Sequence, residues 1–194
     1  MMDKAVPNAI ARLRAEHVNL ERLVRLLDSC DLAGATAQCA EVALLVDAIY
    51  YLTHFPDLSH HPLEDRIIAR LRQRNGLPAA LGAQIEDQHA TLAQQGADLM
   101  RDLESAARGE TMSWELVQAN VRLYAERLRH NMAVEELALF PAALRQLDDD
   151  DWCALDAFMA AGQADPLFPA PTQLRFADLH RVIVAEANCD CEDT

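Results

Sequence analysis

The stretch His54-Phe-Pro-Asp-Leu-Ser-His60-His61-Pro-Leu-Glu64-Asp65-Arg-Ile-Ile68 decides how the chain is read. It places a carboxylate four residues after His60. On a helix, residues four apart lie one turn above each other on one face, so His60 and Glu64 can reach a single cation together. In isolation such a pair reads as solvated surface, but its neighbours change that. The apolar seam entering the stretch is Val42, Leu45, Ile49, Leu52 and Pro56, and it resumes at Ile67 and Leu71. His60 and Glu64 take the slots between, where the seam should be driest. His61 lies at the edge of that face and His54 points nearly the same way. Pro56 and Pro62 are expected to bend or unwind the helix locally.

Working outward, three more helices carry the same kind of interruption. Residues 8–28 place Ile10, Leu13, Leu20, Val24 and Leu27 at helical spacing with one gap, which His17 fills; alone, it reads as a core histidine with satisfied hydrogen bonds. Residues 78–108 present Leu81, Ile85, His89, Leu92, Gly96, Leu99 and Leu103. Residues 114–147 present Val117, Val121, Tyr124 and Leu128, then Asn131 or Met132, Glu135 and Leu139, with a kink expected at Pro141. Breaks fall at 31–36 around Gly34, at Asn75-Gly-Leu-Pro78 and at 109–113. Four long helices on short connections predict an all-α fold, an up-down-up-down antiparallel four-helix bundle over residues 8–147. Residues 148–188 read as a helical extension packed on it. In that extension Asp148 to Asp151 cap a helix over 152–161, residues 165–171 form an extended linker, and a last piece over 173–187 carries His180, read as surface or packing. Residues 189–194 are an acidic tail.

Composition narrows the function. With 51% hydrophobic and 25% charged residues the chain is an ordinary globular protein rich in helix formers. A net charge of −14 argues against nucleic acid and against an anionic membrane surface. The N-terminal residues lead into an amphipathic pattern rather than a signal peptide, and the most apolar run, 42–52, is too short to span a bilayer. The cytoplasm is the expected compartment. Cysteines 30, 39, 153, 189 and 191, an odd number, do not form a disulfide framework. Cys189-Asp-Cys191 reads as tail rather than as a metal or redox pair.

The polar interruptions recur in order. Glu16-His17-Val-Asn-Leu20 resembles Gln88-His89-Ala-Thr-Leu92, and each is followed about forty residues on by a second histidine and then a glutamate, His60 with Glu64 and His130 with Glu135. Two such helical hairpins would bring all of these to the bundle axis at similar height. Burying one ionised glutamate costs several kcal/mol unless it is paired, and two repel each other. A pair of cations removes both problems, and mixed imidazole and carboxylate ligation suits iron or manganese better than a thiolate-rich zinc site.

The motifs Glu16-His17-x-x-Leu20, His60-His61-Pro-Leu-Glu64-Asp65, Gln88-His89-x-x-Leu92 and His130-Asn-Met-Ala-Val-Glu135-Glu136-x-x-x-Phe140-Pro141 resemble those of the hemerythrin-like HHE cation-binding family. The resemblance covers residues 8–147, and 150–168 is similar to the tail of bacterial members. It implies a non-haem di-iron centre, with manganese or zinc as other occupants. By resemblance His17, His60, His89 and His130 are terminal ligands and Glu64 and Glu135 bridge. His61 stands where the related eukaryotic iron-sensing domain has an additional carboxylate ligand. Bacterial members place the fourth-helix histidine four before the glutamate, which here is Asn131. His130, five before Glu135, has the spacing of the oxygen-carrying hemerythrins and needs a local bulge to face inward. The reading adopted is that the helix bulges at His130; otherwise Asn131 faces the site and one iron has a ligand fewer.

The expected metal ligands are therefore His17, His60, His61, Glu64, His89, His130 and Glu135. The expected function is binding or sensing of O2 or NO, or a response to redox and iron status, with a non-enzymatic role favoured over an enzymatic one. Two alternatives stay open. One is a di-iron enzyme reducing NO or repairing iron–sulfur clusters, and the other is a helical interaction module with a degraded metal site. A protein partner is not specified and a homodimer stays open.

Overall fold

The structure, a computed structural model, describes residues 6–29, 39–108, 113–162, 164–168 and 172–189. The breaks expected at 31–36 and 109–112, and the side chains of Cys189 and Cys191, lie outside the described residues. Helices α1 (Asn8–Ser29), α2 (Cys39–Phe55), α3 (His61–Gln73), α4 (Ala79–Ala107), α5 (Trp114–Val134) and α6 (Phe140–Gln146) build four rods. Two of the rods are composite: a π-helical segment, Pro56–His60, joins α2 to α3, and a second, Glu135–Leu139, joins α5 to α6. In sequence order the rods pack as a closed ring, α1 on α2, α2 and α3 on α4, α4 on α5, and α5 back on α1. The fold is the up-down-up-down bundle. Among the described residues there is no strand, and no helix is long and apolar enough to cross a membrane.

Proline explains both π segments. It has no N–H to give, and its ring collides with the carbonyl four residues back. In the turn before Pro62 the His61 N–H bonds to the Pro56 carbonyl, five back; in the turn before Pro141 the Phe140 N–H bonds to the Glu135 carbonyl, also five back. Each turn thus widens by one residue and the rod continues instead of breaking.

The turn after α3 is a Schellman motif. Asn75 takes the left-handed conformation (φ 52°), the Gly76 N–H bonds to Leu71 O at 2.8 Å and the Asn75 N–H to Arg72 O at 3.1 Å. A Cβ at Gly76 would sit 2.8 Å from Gln146 Cγ, so glycine lets α6 close on this corner.

Helix α7 (Asp149–Ala161) starts earlier than expected because Asp148 and Asp151 form a capping box, each side chain accepting the other's backbone N–H. Arg74 pairs with both, tying α7 to the end of α3. After residue 162 the chain is pinned at Asp165: Oδ1 accepts the N–H groups of Leu167 and Phe168, and Oδ2 accepts the Tyr51 hydroxyl at 2.9 Å. A 3₁₀ turn (Leu174–Phe176) and α8 (Ala177–Cys189) follow. Their buried Phe176, Leu179 and Ile183 join the bundle core, and His180 holds Leu167 O.

The core is not continuous. One apolar cluster gathers Leu20–Leu27 of α1, most of α2, Leu92–Ala106 and Val117–Met132; the other gathers Ala9–Leu13, Leu63–Leu71, Ile85 and Leu139–Leu147. On every rod the boundary falls at a polar residue: His17, the stretch from His60 to Glu64, His89, and Asn131 with Glu135. A polar layer therefore crosses the bundle between two dry halves.

Candidate metal centre

His17, His60, His61, Glu64, His89, Asn131 and Glu135 are all buried, and both glutamates have no exposed surface at all. The four histidines share one arrangement. Each turns Nδ1 outward onto an acidic side chain: His17 onto Glu136 (3.2 Å), His60 onto Glu16 (2.8 Å), His61 onto Asp57 (2.8 Å) and His89 onto Asp65 (3.1 Å). An ionised carboxylate only accepts, so Nδ1 carries the proton in each pair and Nε2 is left as the inward nitrogen. An outer carboxylate fixing ring orientation and tautomer is how histidines are prepared to ligate metals.

The inward atoms fall into two groups, each within 4.8 Å of mutual distance: His17, His60, Glu64 and Glu135, and His61, Glu64 and His89. In the first, the Nε2 atoms of His17 and His60 are 3.1 Å apart, and Glu64 Oε1 lies 3.7 and 3.4 Å from them. Two nitrogens each about 2.1 Å from one metal and at right angles are about 3.0 Å apart, so this spacing fits a shared cation. Glu135 Oε2 is 3.3 Å from His17 Nε2. In the second group Glu64 Oε2 lies 3.4 Å from His89 Nε2, and the rings of His61 and His89 stack at 4.2 Å. Glu64 thus gives one oxygen to each group. Glu135 Oε1 is 3.1 Å from His89 Nε2, so this glutamate also spans the layer.

The test of fit is which buried atoms have no partner. Of five buried side-chain atoms without a hydrogen bond among the described residues, four are in this layer: both oxygens of Glu64, Glu135 Oε2 and His61 Nε2. A fully buried carboxylate with neither oxygen bonded is costly unless a cation meets it. The donor set, imidazoles and carboxylates without thiolate, suits a first-row transition metal.

Protons partly fill that role when no metal is bound. Burial opposes charge on His17, but the carboxylates of Glu135 and Glu64 outweigh it and raise its pKa to about 9. Burial likewise opposes charge on His60, which Glu64 and Glu16 bring to about 10, and on His89, which Asp65, Glu135 and Glu64 bring to about 11. For His61 burial prevails over Asp57, so its pKa is lowered and its ring stays neutral. Burial would raise Glu64, yet His60, His17 and His89 hold it well below the usual carboxylate range.

His130 is the exception among the expected ligands. It is exposed, whereas Asn131 is buried, donating from Nδ2 to Glu135 Oε1 at 2.7 Å and to Gln88 Oε1 at 3.3 Å. Helix α5 is regular through Val134, so the register set by Val121, Tyr124 and Leu128 carries on to Asn131; the bulge exists but begins at Glu135, too late to turn His130 inward. The structure therefore corrects that expectation and brings the other six residues together. His54 is exposed and stacks on Tyr50.

The outer acids Glu16, Asp57, Asp65 and Glu136 had no assigned role in the sequence. Three of them adjoin an expected ligand, which was the available signal, but Glu16 pairs with His60 rather than its neighbour His17. A cleft of about 640 Å³ between α1, α7 and the Asp165 turn is lined by Arg12, Glu16, Asn19, Met159, Asp165 and Phe168. It reaches the outer partner of His60, and none of the inward-facing residues lines it.

The family model described as the hemerythrin HHE cation-binding domain matches residues 8–143, from the start of α1 into α6. No curated protein and no solved structure matches the chain.

Proposed function

We propose, for a chain that belongs to the hemerythrin HHE cation-binding domain family, that its polar layer holds two non-haem iron ions and that an open coordination position there binds O2 or NO, so that the protein reports oxygen, nitric oxide or redox state. The observation that carries this reading is Glu64, fully buried, with neither oxygen hydrogen-bonded and one oxygen turned to each of two ligand groups. His17, His60 and Glu135 would complete the first group, and His61 and His89 the second. Iron, when bound, supplies a redox-active Lewis acid able to take up a small diatomic ligand.

The residues around it have plain duties. Glu16, Asp57, Asp65 and Glu136 hold the rings and keep Nε2 available. The apolar clusters above and below, with Phe140 stacked on His17 at 5.3 Å, keep bulk water from the layer. The cleft between α1, α7 and the Asp165 turn stops at Glu16, which suits a diatomic ligand better than an organic substrate. We place the protein in the cytoplasm, where iron and NO chemistry is available to it.

The test is anaerobic reconstitution with ferrous iron, then exposure to O2 or NO. About two irons per chain, with a new visible absorption band on exposure, supports the reading; well below one iron per chain overturns it. Parallel loading with manganese and zinc decides the metal.

A further inference from the structure

The two ligand groups are not equivalent. The first contains four lone-pair donors within mutual reach, His17 Nε2, His60 Nε2 and an oxygen each from Glu64 and Glu135. The second contains three, from His61, His89 and Glu64, and the side chain next to it from the fourth rod is Asn131. Asn131 lies one turn before Glu135, as His60 lies one turn before Glu64. It turns an amide N–H toward the layer, however, and an amide nitrogen has no lone pair for a metal. Its donation to Glu135 Oε1 also engages a lone pair of the oxygen that lies 3.1 Å from His89 Nε2 in the second group. His61 supplies part of the deficit: its Nε2 is buried, unpartnered and held in place by Asp57.

We infer that the two metal positions load in order, the His17–His60 position first and the His61–His89 position second and more weakly, and that Asn131 sets the difference. The inference rests on the metal-pair reading above. It would make the metal held by His61 and His89, on the side of the layer next to Asn131, the exchangeable one. Occupancy of that position alone would then follow the available metal, while the first metal stays as part of the folded core.

Titration of metal-free protein with ferrous iron under argon against a competing chelator measures the order, with cobalt(II) as an optical probe of each position. The expected result is two steps whose affinities differ by at least about tenfold, since loss of even an outer partner costs 10–100-fold. His61→Ala removes the second step and keeps the first; His17→Ala weakens the first. Asn131→His places an imidazole one turn before Glu135 and raises the second affinity by about tenfold or more. A gain of this kind cannot come from misfolding, and helix content by circular dichroism checks the two alanine variants. Two metals binding with one affinity in the natural protein, or an Asn131→His variant with an unchanged second step, overturns the loading order while leaving the metal pair standing. No binding at all, or binding that Glu64→Ala leaves intact, overturns both.

Discussion

The two helical hairpins, residues 8–73 and 79–146, build the same frame and furnish it differently. Each begins with a rod bearing one inward histidine, His17 or His89, and each second rod widens into a π turn before a proline and gives one fully buried glutamate. In the first hairpin the π turn closes on His60, so His60 itself and the following turn with His61 and Glu64 take the new register. In the second the π turn opens at Glu135, so everything before it keeps the register of the upstream seam, which aims Asn131 inward and His130 outward. A bulge adds ligands only when it precedes them. The first hairpin therefore brings three histidines and the second brings one.

The largest effect should come from Glu64, the side chain that serves both groups. Glu64→Ala is expected to abolish metal retention at both positions, whereas Glu135→Ala, which removes a member of the first group and a carboxylate 3.1 Å from His89, should weaken the first position most and leave residual binding at the second. Iron per chain after reconstitution and desalting checks the pair. Equal loss in the two variants would mean that the hairpins contribute alike.

Proton competition comes next. The folded values of His17, His60 and His89, about 9, 10 and 11, lie above 6.5, so in metal-free protein their pairing stabilises fully below about pH 6.5 and is lost as pH rises through 9–11. Glu64 is depressed, so its contribution is present above about pH 4.5 and is lost as acid protonates it. The melting temperature of chelator-treated protein should thus be highest between these limits and fall on either side. Metal needs neutral imidazoles, so affinity should rise about tenfold per pH unit for each proton displaced. Up to three are displaced at neutral pH. His61, already neutral, contributes none, so the second position should show the shallower slope. Identical slopes would contradict that.

The outer acids offer a finer contrast. Asp65→Asn loosens His89 and Asp57→Asn loosens His61, and each should weaken the second position by about 10–100-fold. Glu16→Gln should act on the first position instead, by way of His60. Two-step titrations separate these effects.

Much of this layer was legible because a histidine or glutamate in an apolar seam interrupts a period that is otherwise regular. That located His17, His60, Glu64, His89 and Glu135, and the bundle followed from four such seams on short connections. His130 was misplaced because the pattern says that a helix must widen somewhere without fixing where. The clue lay in Pro141: a proline widens the turn just before it, and His130 is three turns away. The crossed pairing of Glu16 with His60 could not be read from spacing, since it depends on how far apart two rods stand. Nor could the near contact at Gly96, where the seam shows only a missing side chain.

Gly96 sits where the hairpins meet. A Cβ there would lie 2.1 Å from Thr53 Cγ2 and 2.9 Å from Thr53 Cβ, on a β-branched side chain that bonds Ile49 O and cannot swing away freely. Gly96→Ala should therefore destabilise the fold by about 1–3 kcal/mol, although alanine favours helix, and a Thr53→Ala partner should recover part of that. Denaturant melts of the single and double variants measure the coupling. A neutral Gly96→Ala would mean that α2 and α4 stand further apart than the structure has them.

The smallest expected effect tests the register itself. His130→Ala removes an exposed ring from the outer face of α5, so metal loading should be unchanged and stability should move by no more than about 0.5 kcal/mol. His89→Ala, on the facing rod of the same hairpin, should remove a ligand of the second position. Asn131→Ala takes no metal-binding atom away and frees Glu135 Oε1 from its amide donor, so metal loading should be retained, in contrast to His89→Ala. If His130→Ala lost metal as His89→Ala does, α5 would have to be turned by about 100° at that point. The second hairpin would then carry its bulge ahead of its ligands like the first, and the difference between the halves would vanish.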